Sequence, residues 1–183
     1  ELMAYAAAGL RSDHEAETAE EARARAALGM LVQVREGSIA RNLDAVLPLL
    51  ASGELGDGWT LVTDDILPTE LRDVGHLDAL LRRVVAGGVP AARAVRHASL
   101  VPARHYGLAD RGAVAPGYRA DLVVTDDLAA FRPRLVLKDG RVVARHGELV
   151  AGLPARPIPQ VNTIRLPPLD ESAFSLSLAS DAC

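Results

Sequence analysis

Ser12-Asp13-His14-Glu15 sets an imidazole between two acidic side chains, just ahead of a run that reads as a helix start. Further along, Thr63-Asp64-Asp65 closes an apolar run with two more carboxylates. A neutral imidazole and a carboxylate are suitable ligands for a divalent metal, and water on such a metal becomes a nucleophile near neutral pH. The carboxylate can also take the proton of that water and pass it to a leaving group. His14 and Asp64 are the pair placed for this chemistry. The plain alternatives stand beside it: a solvated helix approach in which Asp13 or Glu15 favours the helix N-terminus, and a strand-ending turn of the kind Asp often makes. Alternation along a strand sends Asp64 and Asp65 to opposite faces, so at most one of them faces a common mouth. Arg35 and Glu36, in Arg35-Glu36-Gly37-Ser38, either pair with each other or with neighbours, or orient a polar heterocycle by hydrogen bonds. His76 opens a helix and either caps it or reaches the same mouth. His97, His105 and His146 have no acidic or histidine partner at ligand spacing and read as structural.

The elements that must carry these residues follow a regular order. Glu1 to Ala8 fits a helix end stopped by Gly9, and Gly9 to Ser12 a strand end leading into the SDHE loop. Thr18 is an N-cap with Glu21 completing a capping box, and Gly29 closes that helix. Met30 to Val34 reads as a buried strand. A helix is expected from Ile39 to Leu50, with Leu43, Val46, Leu47 and Leu50 on one stripe. Trp59 to Thr63 is a further buried strand, and helices follow from about His76 to Ala86 and after Pro90. Strand, polar loop and helix repeated in this way predict βα units on a parallel sheet. In a β/α barrel the strand C-terminal ends form the active face, and in a doubly wound sheet they line the ligand crevice. Either way SDHE, REGS and TDD gather at one end. After Gly107 the texture changes to a turn-rich lead into a strand, then a hairpin from Leu135 to Val143 around Asp139-Gly140. Three regions are therefore expected: 1–106, 107–150 as a small β layer, and 151–183 as a linker and the start of a further region.

Composition bounds the rest. The 183 residues hold 49% hydrophobic and 24% charged side chains, which predicts a globular chain with a real core. The apolar runs fall short of a membrane span, and the first residues lack a secretory pattern, so a cytoplasmic location is the expectation. The net charge of -4, with scattered arginines and Lys138 as the lone lysine, argues against a nucleic-acid surface. The single cysteine, Cys183, leaves no basis for a Cys-based metal or nucleophile site. It also sets aside a deaminase of the His-x-Glu, Pro-Cys-x-x-Cys type. Neither a nucleophile elbow nor a P-loop occurs.

ELMAYAAAGLRSDHE, GMLVQVREGSIARNLDAVLPLL, LVTDD and GHLDALLRRVV together resemble the second half of the adenine deaminase branch of the amidohydrolase superfamily. GLADRGAVAPGYRADLVV is similar to the segment by which many amidohydrolases leave the barrel for a small β domain. The resemblance implies the C-terminal half of a metal-dependent-hydrolase (β/α) barrel with an appended small β-sandwich segment. It implies hydrolytic deamination of adenine to hypoxanthine and ammonia, with a divalent metal, manganese or iron rather than zinc. His14 matches the family's histidine after strand six. Asp64, directly after the Thr of the Thr-Asp pattern, matches the strand-eight aspartate that binds metal and shuttles the proton. Glu15 falls within these motifs as a further catalytic candidate, and Arg35, Glu36, Ser38 and His76 as substrate-binding candidates.

The chain departs from the family in lacking the His-x-His pair, the strand-four bridging ligand and the strand-five histidine. It opens without Met, in mid-helix, and ends on a polar, Pro-rich tail. The expectation is a piece of a longer protein, inactive alone, that forms a homo-oligomer or docks with the missing barrel half. Two other functions remain open: another amidohydrolase acting on a cyclic amide such as a hydantoin, and a non-catalytic fragment that kept the fold and lost the site.

Overall fold

A computed structural model describes residues 1–150, 157, 159 and 161–176. Cα proximity divides the chain into two compact units, Glu1–Ala151 and Gly152–Cys183. The linker expected from residue 151 falls largely outside the described residues. In the second unit, Asp170 caps a short 3-10 turn, Glu171–Phe174, by accepting from the Ser172 backbone N–H at 2.9 Å.

The first unit opens with helix α1, Leu2–Ala7, and a two-residue strand β1, Ser12–Asp13. This strand lies inside the SDHE motif, not ahead of it as the sequence suggested. Helix α2, Ala19–Ala27, starts with the expected reciprocal cap: Thr18 accepts from the Glu21 backbone N–H, and the Glu21 carboxylate accepts from the Thr18 N–H. Such a cap stabilises a helix by about 1 kcal/mol. Strand β2, Leu31–Arg35, leads through a hooked loop to helix α3, Leu43–Ser52. The helix begins four residues later than its apolar pattern predicts, because Glu36 bridges back to Arg41 and takes residues 37–42 out of the helical path. Its buried face is Leu43, Val46, Leu49 and Leu50; Leu47, expected on that stripe, is only partly buried.

Strand β3, Trp59–Val62, completes a parallel sheet in the order β1-β2-β3, with Ser12 opposite Leu31 and Val34 opposite Leu61. Helices α4 (Pro68–Asp73), α5 (Leu77–Ala86), α6 (Ala91–Ala98) and α7 (Leu100–His105) follow. α2 and α3 pack on β2, while α5, α6 and α7 pack on β3. The core between sheet and helices is Val32, Val34, Leu43, Val46, Leu50, Trp59, Leu61, Leu80 and Val84. Each such side chain contributes about 1.5–3 kcal/mol on leaving water. His97 belongs to this core: its ring stacks on Trp59 with centroids 3.9 Å apart, and its Nδ1 lies 2.8 Å from the Trp59 carbonyl oxygen.

Beyond these helices, β4 (Leu122–Thr125), β5 (Pro133–Lys138), β6 (Arg141–Arg145) and β7 (Glu148–Leu149) form one antiparallel sheet in sequence order. Two tight turns build it, Asp139-Gly140 and His146-Gly147, both with positive φ at each central residue. That is the backbone a two-residue hairpin needs to match the strand twist. Among the described residues no helix is long and apolar enough to cross a membrane.

Candidate active site

The three parallel strands end side by side, which brings the SDHE, REGS and TDD segments to one rim. Arg35, the last residue of β2, is the hub. Its side chain is only 8% exposed, with Nη2 2.8 Å from Glu15 Oε2 and Nη1 3.3 Å from Asp64 Oδ2. Glu15 Oε1 lies in turn 3.3 Å from His14 Nε2. His14, Glu15, Arg35 and Asp64 thus form one continuous polar chain across the ends of β1, β2 and β3. Arg35 Nε is buried without a partner, so the guanidinium is held by its two terminal nitrogens.

Asp64 and Asp65 diverge, but beyond the end of β3 and through the left-handed backbone of Asp64, so strand alternation is not what separates them. Asp64 faces Arg35, while Asp65 turns to the REGS loop, where its backbone carbonyl accepts from the Ser38 N–H at 2.8 Å. A Cβ on Gly37 would meet the carboxylate of Asp65, an exposed side chain able to turn aside, and the Ala40 carbonyl at 3.2 Å. Asp64 sits at φ 54°, the left-handed region. A non-glycine residue held there costs about 1–3 kcal/mol, and such strain clusters where a side chain must be aimed.

Glu36 is not part of that chain. It follows Arg35 directly and leaves the strand on the opposite face, where Oε1 accepts from the Leu43 N–H at 3.1 Å and Oε2 pairs with Arg83. Glu36 therefore caps α3. Ser38 ties two loops together: its hydroxyl donates to Glu70 Oε2 at 2.6 Å and accepts from the Leu67 N–H at 2.8 Å. His76 occupies the N-cap position of α5, and its Nε2 lies 2.9 Å from the hydroxyl of Thr63, the residue before Asp64. Between α4 and α5 a cavity of about 240 Å³ is bordered by Glu36, Arg41, Glu70 and Arg83.

The residue that sequence reasoning passed over is Asn42. It is 3% exposed, and its amide joins Arg35 to the loop that carries His14 and Glu15. The signal was present in Arg41-Asn42-Leu43, an Asn just before a helix, but the helix was expected to have begun already.

His14 and Asp64 suit a divalent cation in kind, as an imidazole and a carboxylate do. They supply part of a set: among the described residues no three His, Cys, Asp or Glu side chains converge on one point.

The amidohydrolase family matches residues 3–143, and the chain belongs to that family, whose members are in general divalent-metal dependent. It is 42% identical over 173 residues to the adenine deaminase of Kosmotoga olearia, covering 93% of this chain and 30% of that protein. It is 54% identical over 131 residues to the adenine deaminase of Deinococcus radiodurans, covering 72% of this chain and 24% of the relative. The chain thus spans less than a third of the relatives it matches. Its fold is similar to that of a β-aspartyl dipeptidase from Fervidobacterium islandicum, with a TM-score of 0.62 and 19% identity over 79% of this chain and 41% of the other.

Proposed function

We propose that this chain is the distal part of a metal-dependent adenine deaminase, converting adenine and water to hypoxanthine and ammonia in the cytoplasm. Residues 1–106 are read as the distal part of a (β/α) barrel, and 107–150 as one layer of a small β-sandwich. The region from 151 to 183 is read as a linker with the start of a further region. The observation that carries the reading is the chain His14–Glu15–Arg35–Asp64 on one rim, in a polypeptide 42% identical to a named adenine deaminase over nearly its whole length.

In this reading His14 and Asp64 would hold a divalent cation, manganese or iron rather than zinc, together with ligands from outside this chain. Such a cation makes water acidic enough to attack near neutral pH. Asp64 takes a proton from the attacking water and delivers it to the amino nitrogen as the C6–N bond breaks. Glu15 and Asp64 are joined through Arg35, which fixes where each stands on the rim. His76 and Ser38 border the mouth where the purine enters, and Glu36 supports the site from behind by capping α3. The isolated 183-residue chain, short of ligands and with open strand edges, is inactive alone and associates with itself or with the rest of the barrel.

The test is ammonia release from adenine by the complete enzyme and, in parallel, opening of hydantoin to N-carbamoylglycine. Adenine turnover supports the reading, and turnover of hydantoin alone transfers the site to cyclic-amide hydrolysis. Asp64→Asn should lower kcat by about 10²–10⁴-fold. Unchanged metal content in His14→Ala would favour the non-catalytic reading or a metal held at a surface site elsewhere.

A further inference from the structure

The geometry points to Asn42 as the positioning residue of the rim, the group that fixes where His14, Glu15 and Arg35 stand; its kinetic consequence rests on the deaminase reading above. Asn42 occupies the N-cap position of α3, where an Asn side chain ordinarily accepts from the first free N–H groups of its own helix. Here it makes no such cap, and the Leu43 N–H is served by Glu36 instead. The amide is spent across the fold. Its Oδ1 accepts from the Arg35 N–H at 2.8 Å, and its Nδ2 donates to the Ala16 carbonyl at 2.8 Å and toward that of His14 at 3.4 Å.

Those two carbonyls flank Glu15, and the N–H belongs to the residue whose guanidinium Glu15 meets. One buried side chain therefore clamps the backbone on both sides of Glu15 and at Arg35 itself. Its own N–H donates to the Arg35 carbonyl at 3.1 Å, closing a two-way link to the end of β2. Only an amide does this, because the task needs an acceptor and a donor on one short planar group. Giving up a local cap for a partner 26 residues upstream marks a position chosen for the rim and not for the helix.

Asn42→Asp, Asn42→Ala and the milder Asn42→Ser test this in the complete enzyme, with Thr60→Val as control. Thr60 makes a buried bond of the same kind, from its hydroxyl to the His97 carbonyl at 2.7 Å, away from the rim. Asn42→Asp keeps the acceptor for Arg35 but turns an oxygen toward two carbonyls. In all three Asn42 variants, amide exchange over residues 12–17 should rise about tenfold through local opening, while Thr60→Val keeps the wild-type rate there. Per folded molecule, kcat for adenine should fall about 10²-fold through misplacement of the reacting groups. KM should stay within about twofold, since Asn42 does not touch substrate. Unchanged exchange over 12–17, or a Thr60→Val enzyme equally impaired in kcat, overturns the assignment. If the wild-type enzyme releases no ammonia from adenine, the deaminase reading fails, and the exchange comparison alone decides Asn42.

Discussion

Arg35 Nη1 donates to Asp64 Oδ2 across 3.3 Å, from a side chain that is almost entirely buried while its partner is about one-third exposed. A buried guanidinium is costly to desolvate, and the two carboxylates it meets offset that cost. Arg35→Met should leave Glu15 and Asp64 without their shared counter-charge. The expected loss is about 1–3 kcal/mol, less than for a fully buried pair because both carboxylates reach solvent. Arg35→Lys keeps the charge without the fork and should recover only part of it. Urea midpoints of the three proteins check the order; a Met variant as stable as wild type would remove Arg35 from its place as hub.

Gly37→Ala tests the contact between the REGS and TDD loops. The added methyl would collide with Asp65 Oδ1 and press on the Ala40 carbonyl at 3.2 Å. The exposed Asp65 carboxylate can turn aside, so the cost is set mainly by the backbone contact and should be about 1 kcal/mol. Because Asp65 is next to Asp64, activity should fall further than the melting temperature accounts for. Equal specific activity per folded molecule would show that the loops move apart without consequence.

His97 gives the fold a pH dependence of known sign. Burial against Trp59 holds its imidazole below the ordinary 6.5, with the Trp59 carbonyl opposing that shift. The unfolded chain therefore binds the proton first as pH falls. The stability due to neutral His97 is complete above about pH 6.5 and is lost as pH drops below it toward the folded value. His97→Gln should be less stable at pH 7.5 and show a shallower decline between pH 7.5 and 5. Parallel melting curves for the two proteins across that range would contradict this.

Ser38 and Glu70 make a latch between the end of β2 and α4. Ser38→Ala removes the 2.6 Å bond to Glu70 and the acceptor for the Leu67 N–H. Because α4 buries none of its residues, little else holds it. Proteolysis within residues 66–75 should accelerate several-fold, with the global unfolding midpoint lowered by about 1 kcal/mol or less. Cleavage at the wild-type rate would show that α4 is secured by something other than this latch.

The sequence made the local order of the fold readable, and the site only where it followed from that order. The Thr18–Glu21 box, the Asp139-Gly140 turn and the strand-end position of each polar cluster are short-range patterns. Placing His14 and Asp64 at one end of the sheet needed nothing beyond parallel strands. Glu36 was readable only as a polar neighbour of Arg35 or a substrate contact; its cap of α3 was hidden because the helix was expected to start before Leu43. The bonds of Asn42 and Ser38 were hidden as well, because their partners lie 26 and 32 residues away and no periodicity records a side-chain bond of that span. The late start of α3 has the same origin, since its apolar spacing continues through residues that the Glu36–Arg41 bridge pulls aside.

The short helix α4 stands between Asp64 at φ 54° and Gly75 at φ 120°, two joints that most residues resist. Leu67, Leu71 and Val74 stay open to water along it. What holds α4 to the rest of the fold is therefore a set of polar contacts and not packed side chains: Glu70 meets both Ser38 and Arg41. Residue 70 thus carries more of the attachment of this segment than any of its apolar side chains.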